Sequence, residues 1–262
     1  MATRRVRLID LLSGLHPDRD PKELYAEVLR GMVSVDGVPV TKPGVLVPAH
    51  ARVVVHARPA YVSRGGDKLE AAVREWGLPV EGAVWLDAGC STGGFTDCLL
   101  AHGAARVHAV DVGVGQLDWR LRTDPRVTVR EGINVMALGP SDLDPPADRA
   151  VADLSFRSLR GAAFHILGLA REAWGVFLVK PQFEWAEPSK DFHGVVRDRD
   201  TVRGILAGLL EGLASEGVAA EKALRSPIRG QKGNREYLVL LRRVGAPAAI
   251  QVAELLRAVG LE

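Results

Sequence analysis

The sequence predicts an α/β protein: an open, mostly parallel, doubly wound sheet with helices on both faces, preceded by a smaller α+β module. Three observations predict it. From about residue 67 onward, short apolar runs of strand length alternate with longer runs of helical period, the rhythm of successive βα units. A glycine-rich stretch from Asp87 to Phe95 follows the first of those strands, where such sheets turn sharply into a helix. The first sixty residues have a different texture, two helical patterns and several three-residue β runs set off by turn residues. A chain of 262 residues is long enough for one large domain with a small appendage.

In the small module, Val6, Leu8, Ile9, Leu11, Leu12 and Leu15 predict an amphipathic helix, and residues 21–29 a second one opened by Pro21 in its first turn. Short strands are expected at 33–35, 38–40 and 53–55, with turns at Asp36-Gly37 and Lys42-Pro43-Gly44. So few elements form a minimal core. The module spans residues 1–58, and residues 59–66, ending in Gly65-Gly66, read as a linker to a domain of residues 67–262 whose first helix starts at Asp67.

In the larger domain the expected strand and helix pairs are 83–86 with 95–101, 107–112 with 116–121, 150–152 with 159–169 and 176–179 with 201–213. Further strands are expected at 127–129, 218–223 and 237–241, the last two a place for antiparallel pairing to enter.

Composition excludes several classes. Apolar and charged contents of 47% and 25% are those of an ordinary globular protein. No apolar run reaches the roughly 18 to 20 residues that span a bilayer, and the Arg-rich start lacks the apolar segment of an export signal. Two cysteines, Cys90 and Cys98, make neither a disulfide framework nor a zinc site, so no metal is expected and a reducing cytoplasm fits. The first sixty residues carry nine Lys and Arg against six Asp and Glu, a mild local excess that permits nucleic-acid binding.

The site is expected beyond the carboxyl ends of the strands. Gly89, Gly93 and Gly94 let backbone turn tightly and approach a ligand, but their spacing is not that of a pyrophosphate cradle, and no P-loop lysine follows. Asp111, ending the second strand, suits the two hydroxyls of a ribose. Lys68, Asp153, Lys180 and Glu236 each stand at a motif edge that a doubly wound sheet would draw together. Two ammonium and two carboxylate groups suit activation of a sugar hydroxyl, a poor nucleophile while protonated.

The stretch Arg30 to Gly44 resembles an S4 RNA-binding domain, which implies that Arg4, Arg5, Arg7, Lys22, Arg30 and Lys42 contact phosphates. The larger domain carries Tyr61-Val62-Ser63-Arg64-Gly65-Gly66-Asp67-Lys68-Leu69, then Leu86-Asp87-Ala88-Gly89-Cys90-Ser91-Thr92-Gly93-Gly94-Phe95. Asp111-Val112-Gly113, Asp153-Leu154-Ser155-Phe156, Val179-Lys180-Pro181-Gln182-Phe183-Glu184 and Gly233-Asn234-Arg235-Glu236 follow in that order. In these stretches the chain resembles the TlyA family of S4-domain ribosomal RNA 2′-O-methyltransferases, whose catalytic domain is FtsJ-like.

The resemblance implies a Rossmann-like class I methyltransferase domain, S-adenosyl-L-methionine as cofactor, and cytidine 2′-hydroxyls of ribosomal RNA, free or in ribosomal subunits, as substrate. It implies Lys68, Asp153, Lys180 and Glu236 as catalytic residues. Asp87, Gly89, Ser91, Gly93, Gly94, Phe95, Asp111, Val112, Asn134 and Asp153 would bind the cofactor, and Arg64, Arg229 and Lys232 would join the RNA contacts. Cys90 departs from the small residue usual in the family's turn, and residues 130–134 differ from its usual segment.

Lys180, held by Pro181 at a strand end, is expected to accept or stabilise the hydroxyl proton, with Lys68 beside it and the two carboxylates orienting both amines. Phe183, Trp185 and Phe192, with basic residues nearby, could stack an unpaired base. Arg225, Arg229, Lys232 and Arg235 form a second basic stretch. Two other readings stand beside the enzyme: a non-catalytic RNA-binding module, and a membrane-active protein, since relatives are labelled haemolysins; no strongly apolar basic helix supports the latter.

Overall fold

The computed structural model describes the chain except residues 1–3, 30, 57–59, 156, 189–191 and 248–250. Two compact units result, Met1–Pro59 and Ala60–Glu262.

The first unit runs β1 (Arg5–Arg7), α1 (Leu8–Leu15), α2 (Pro21–Leu29), β2 (Val33–Val35), β3 (Val38–Val40), β4 (Leu46–Pro48) and β5 (Val53–Val55). Val6 does not belong to the first helix as its apolar character suggested. It sits in β1, opposite Val47 of β4, because three residues alternating with Arg5 and Arg7 already satisfy a strand's period of two. Strand β2 lies between β3 and β5, antiparallel to both. Its hairpin turns through Asp36 and Gly37, both at positive φ (51° and 81°), the conformation that matches strand twist in a two-residue loop. Leu8, Leu12, Leu24, Val28 and Val33 close the core with no exposure.

The second unit opens with α3 (Arg64–Trp76). The helix begins three residues ahead of Asp67, and so takes in part of the expected linker. Ser63 is extended and accepts a hydrogen bond from the Gly65 amide, which fixes the start there.

The sheet elements are β6 (Val84–Ala88), α4 (Gly94–Ala101), β7 (Arg106–Asp111), α5 (Trp119–Arg122), β8 (Val127–Glu131), β9 (Arg149–Ala152), α6 (Ala162–Gly168) and β10 (Trp174–Val179). After these come α7 (Pro181–Glu184), α8 (Arg199–Ser215), β11 (Val218–Arg225), β12 (Tyr237–Arg243) and α9 (Val252–Ala258). Helices α7 and α9 were not expected from the sequence. Helix α5 is shorter than the apolar pattern from Gln116 implied, since Asp118 caps it and its carboxylate accepts from the Arg120 amide.

Strand order is β11-β12-β10-β9-β6-β7-β8. Strands β6 to β10 are parallel to their neighbours, whereas β12 runs antiparallel between β10 and β11. Both sheet faces are covered, so the strands alternate between two cores rather than between core and water. Val176, Leu178, Leu238 and Leu240 face α3 and α4, while Phe177, Val179, Val239 and Leu241 face the layer of α6, α8 and α9. Each fully buried side chain of this kind contributes about 1.5–3 kcal/mol.

The chain moves outward from β6 through β7 and β8, then returns to place β9 on the other side of β6. That reversal opens a crevice beyond the carboxyl ends of β6 and β9. Because β12 is reversed, the residue entering it lies at the same rim: Tyr237 pairs with Val179, the last residue of β10. Among the described residues no helix is long and apolar enough to cross a membrane.

Candidate active site

A cleft of about 570 Å³ lies at this rim. Its walls include Lys68 from α3, Gly89, Ser91, Gly94 and Phe95 from the glycine-rich turn, Asp153 beyond β9, Lys180 beyond β10 and Glu236 before β12.

The turn is shaped by close approaches. Gly89 has φ of +84°, and a Cβ there would stand 2.7 Å from the Asp153 carbonyl oxygen, so only glycine brings the turn against the end of β9. The Gly89 and Cys90 amides both donate to the Val110 carbonyl, tying the turn to β7. Gly94 starts α4 against the start of α3: a Cβ on it would stand 2.7 Å from the Gly66 amide nitrogen and would also strike Ser63 Oγ. The segment leading into α3 is held independently. The Val62 amide donates to Asp97, and the Tyr61 hydroxyl donates to Glu70 at 2.6 Å. Burial pushes the Glu70 carboxyl up, but hydrogen bonds from Tyr61, His102 and Arg74 outweigh it and hold the group at about 2.

The four candidate catalytic side chains form two ion pairs. Lys68 Nζ is 2.6 Å from Glu236 Oε2, and Lys180 Nζ is 2.6 Å from Asp153 Oδ1. Lys180 also donates to Ser155 Oγ at 3.0 Å. Exposure of these side chains is 11%, 4%, 11% and 23% in the order Lys68, Glu236, Lys180, Asp153. Pro181 in the first position of α7 fixes the backbone leaving Lys180.

Other expected residues stand away from the cleft wall. Asp87 is fully buried behind the turn, where Thr96 Oγ1 donates to its Oδ2 at 2.6 Å and its Oδ1 has no partner. Burial, reinforced by Asp153 and Asp111, raises its carboxyl to about 7 against the Thr96 hydrogen bond. Asp111 accepts from the Ser91 amide at 2.8 Å and the Gly113 amide at 2.7 Å. Asn134 caps a short 3-10 turn by accepting from the Met136 amide. Val112 is 69% exposed beside Val114 at 76%, an uncovered apolar face next to Asp111. Cys90 is buried, and burial pushes its thiol well up.

Of the expected RNA contacts, Arg4, Lys22, Lys42, Arg64, Arg229 and Lys232 are exposed. Arg7 is exposed as well but already paired with Asp10 at 2.7 Å. Arg30, and Phe156 of the Asp153 motif, lie outside the described residues.

Asn234 and Gln182 are among the lining residues for which the sequence pointed to no role. Asn234 is buried, accepts from the Val196 amide at 2.9 Å and donates to the Gly194 carbonyl at 2.8 Å, pinning residues 194–196 to the rim. Gln182 brings a buried, unpartnered Oε1 to the wall. Gln182 falls within the Val179–Glu184 stretch and Asn234 within Gly233–Glu236, which was the available signal.

Fold and cleft together define a Rossmann-like class I methyltransferase domain. Residues 61–243 match the family of FtsJ-like methyltransferases. The 16S/23S rRNA (cytidine-2′-O)-methyltransferase TlyA of Mycobacterium tuberculosis is 44% identical over 220 residues, covering 81% of this chain and 80% of its own length. Hemolysin A of Brachyspira hyodysenteriae is 40% identical over 214 residues, with coverage of 80% and 89%. A solved structure named as a hemolysin from Streptococcus thermophilus has a TM-score of 0.72 at 32% identity, over 98% of this chain and 96% of that one. The chain belongs to the FtsJ-like methyltransferase family, among the TlyA rRNA methyltransferases.

Its methyl donor is S-adenosylmethionine, and the residues fit that group. Asp111 offers acceptors to a ribose and Val112 an apolar face to a base.

Proposed function

We propose that the chain methylates the ribose 2′-hydroxyl of cytidine in ribosomal RNA, with Lys180 activating the hydroxyl and Lys68, Asp153 and Glu236 supporting it. The observation that carries this reading is the pair of lysine–carboxylate contacts on the wall of one cleft beside the glycine-rich turn. The activity for which the Mycobacterium tuberculosis relative is named, cytidine 2′-O-methylation of 16S and 23S rRNA, supports the substrate.

When bound, S-adenosylmethionine supplies a methyl already activated by its sulfonium charge, so the protein must act on the oxygen. Lys180 Nζ, once its own proton has passed to solvent, would take the 2′-hydroxyl proton as the oxygen is methylated, and Asp153, 2.6 Å away, would stabilise the ammonium so restored. Ser155 fixes the direction of the amine. The Lys68–Glu236 pair sits at the same rim with little exposure, adding a positive charge near the developing oxyanion while Glu236 keeps that charge from standing unpaired. In-line approach with reacting atoms about 3–3.5 Å apart supplies much of the remaining acceleration.

The unit Met1–Pro59 serves in this reading as an S4-like RNA-binding module, with Arg4, Lys22 and Lys42 as phosphate contacts. Arg64, Arg229 and Lys232 extend the contact on the catalytic unit.

The test is transfer of labelled methyl from S-adenosylmethionine to purified ribosomal subunits, followed by mapping of the modified nucleotide. Label at a cytidine 2′-oxygen is the expected result; label on a base, or none on any ribosomal particle, overturns the reading. A fragment starting near residue 60 should bind and methylate particles less well than the full chain.

A further inference from the structure

A second cleft of about 560 Å³ opens beside the first. Arg197, Arg199, Arg225, Arg229, Lys232 and Arg235 line it, and among the described residues no Asp or Glu does. None of the six makes an ion pair among the described residues. Two guanidiniums are steadied by backbone instead, Arg199 donating to the Gly260 carbonyl at 2.8 Å and Arg229 to the Gly233 carbonyl at 3.0 Å. Cations gathered without acids repel one another, so the arrangement stabilises the chain only when an anion joins it.

A second observation concerns Tyr237. It lines the same cleft, is 1% exposed, and its hydroxyl is buried with no hydrogen-bond partner. Burial raises its pKa, while the charges of Arg235, Arg225, Arg199 and Arg229, which line the same cleft, act in the opposite sense. A buried hydroxyl without a partner is costly, and an oxyanion is the acceptor that would satisfy it and the cations together.

Position identifies the anion. Glu236 and Tyr237 are consecutive at the start of β12 and project to opposite faces of the sheet: Glu236 meets Lys68 of α3, and Tyr237 packs in the layer of α6, α8 and α9. Lys232 lines both clefts, so the second cleft adjoins the first at the rim.

Resting on the reading of the first cleft as a site for RNA, we propose that the second cleft is a phosphate subsite, holding a backbone phosphate of the same RNA strand beside the nucleotide being methylated. Tyr237 donates to a phosphate oxygen, and Arg225 and Arg235 supply the charge-assisted hydrogen bonds.

The test uses the full chain, with inorganic phosphate and a ribosomal RNA fragment as separate probes. Phosphate should raise the melting temperature. Tyr237→Phe should raise it in the absence of phosphate, because an unpartnered hydroxyl is gone, and should shrink the phosphate-induced increase. The double variant Arg225→Ala/Arg235→Ala should bind the RNA fragment about tenfold more weakly, with the slope of log affinity against log salt shallower by about 1.4, two contacts at about 0.7 each. An equal phosphate-induced shift in Tyr237→Phe and the parent overturns the subsite. So does unchanged RNA affinity and salt slope in the double variant. Loss of phosphate binding with RNA affinity intact overturns the assignment to the RNA strand and leaves a site for a small phosphorylated molecule. Methyl transfer is read separately: weakened RNA binding in a chain that methylates no ribosomal particle supports the subsite while rejecting the proposed reaction.

Discussion

The two clefts share a rim and a lysine but treat positive charge in opposite ways. In the first, Lys68 and Lys180 are nearly enclosed, and each stands 2.6 Å from a carboxylate. In the second, six exposed cations gather with no acid lining the cleft among the described residues. Enclosed amines beside carboxylates are charge-balanced and held in place, whereas the exposed guanidiniums are left uncompensated. The difference teaches that a cation's use here follows from whether the fold has already balanced it, not from its residue type.

The sharpest way to break the comparison is Lys180→Ala, which should lower kcat by about 10³-fold while leaving the affinity for ribosomal RNA near that of the parent. An equal loss in RNA affinity would show that Lys180 behaves like a residue of the second cleft. Glu236→Gln strands the Lys68 charge in a site of little exposure, and should reduce stability by about 3 kcal/mol in urea unfolding as well as slowing turnover. No comparable change should follow from removing an exposed arginine.

Asp87 sharpens the contrast through pH. Its folded pKa of about 7 lies above the ordinary carboxylate value. Between about pH 4 and pH 7 the native state therefore holds a proton that the unfolded chain has released, and stability falls as pH rises through that window. Asp87→Asn should abolish this contribution, on the order of 3 kcal/mol between pH 5 and pH 8, measured as the difference between the two unfolding curves. Glu70 behaves with the opposite sign: held at about 2, it contributes stability that is present above its unfolded value of about 4.3 and lost as pH falls toward 2. The smallest expected effect is Lys232→Ala, at the junction of the clefts. It should raise KM for RNA about fivefold and flatten the salt slope by about 0.7.

Strands were legible because this sheet is covered on both faces, so runs such as Gly175 to Val179 and Leu238 to Leu241 are apolar without interruption. Short elements were not. Val6 satisfies helical and strand periods alike, α7 is a single turn, and the start of α3 depends on Ser63 side-chain geometry rather than on apolar spacing. At the first cleft, residue types and strand-end positions marked Lys68, Asp153, Lys180 and Glu236, but not which lysine meets which acid. The Lys68–Glu236 contact joins residues whose proximity exists only once β12 is inserted beside β10. Tyr237 read as one apolar strand residue among several, since a linear pattern carries no information about an O–H left without an acceptor. The basic run from Arg225 to Arg235 was visible; its convergence with Arg197 and Arg199 across α8 and β12 needed the tertiary fold.

The reversal of β12 has a consequence for how such an enzyme could diversify. A forward strand delivers to the rim the residue that leaves it, whereas a backward one delivers the residue that enters, so the loop ahead of β12 opens on the same rim as Asp153 and Lys180. On the proposed function, changes in residues 226–235 retune which RNA is accepted while Lys68 and Lys180, fixed by α3 and by β10, stay in place.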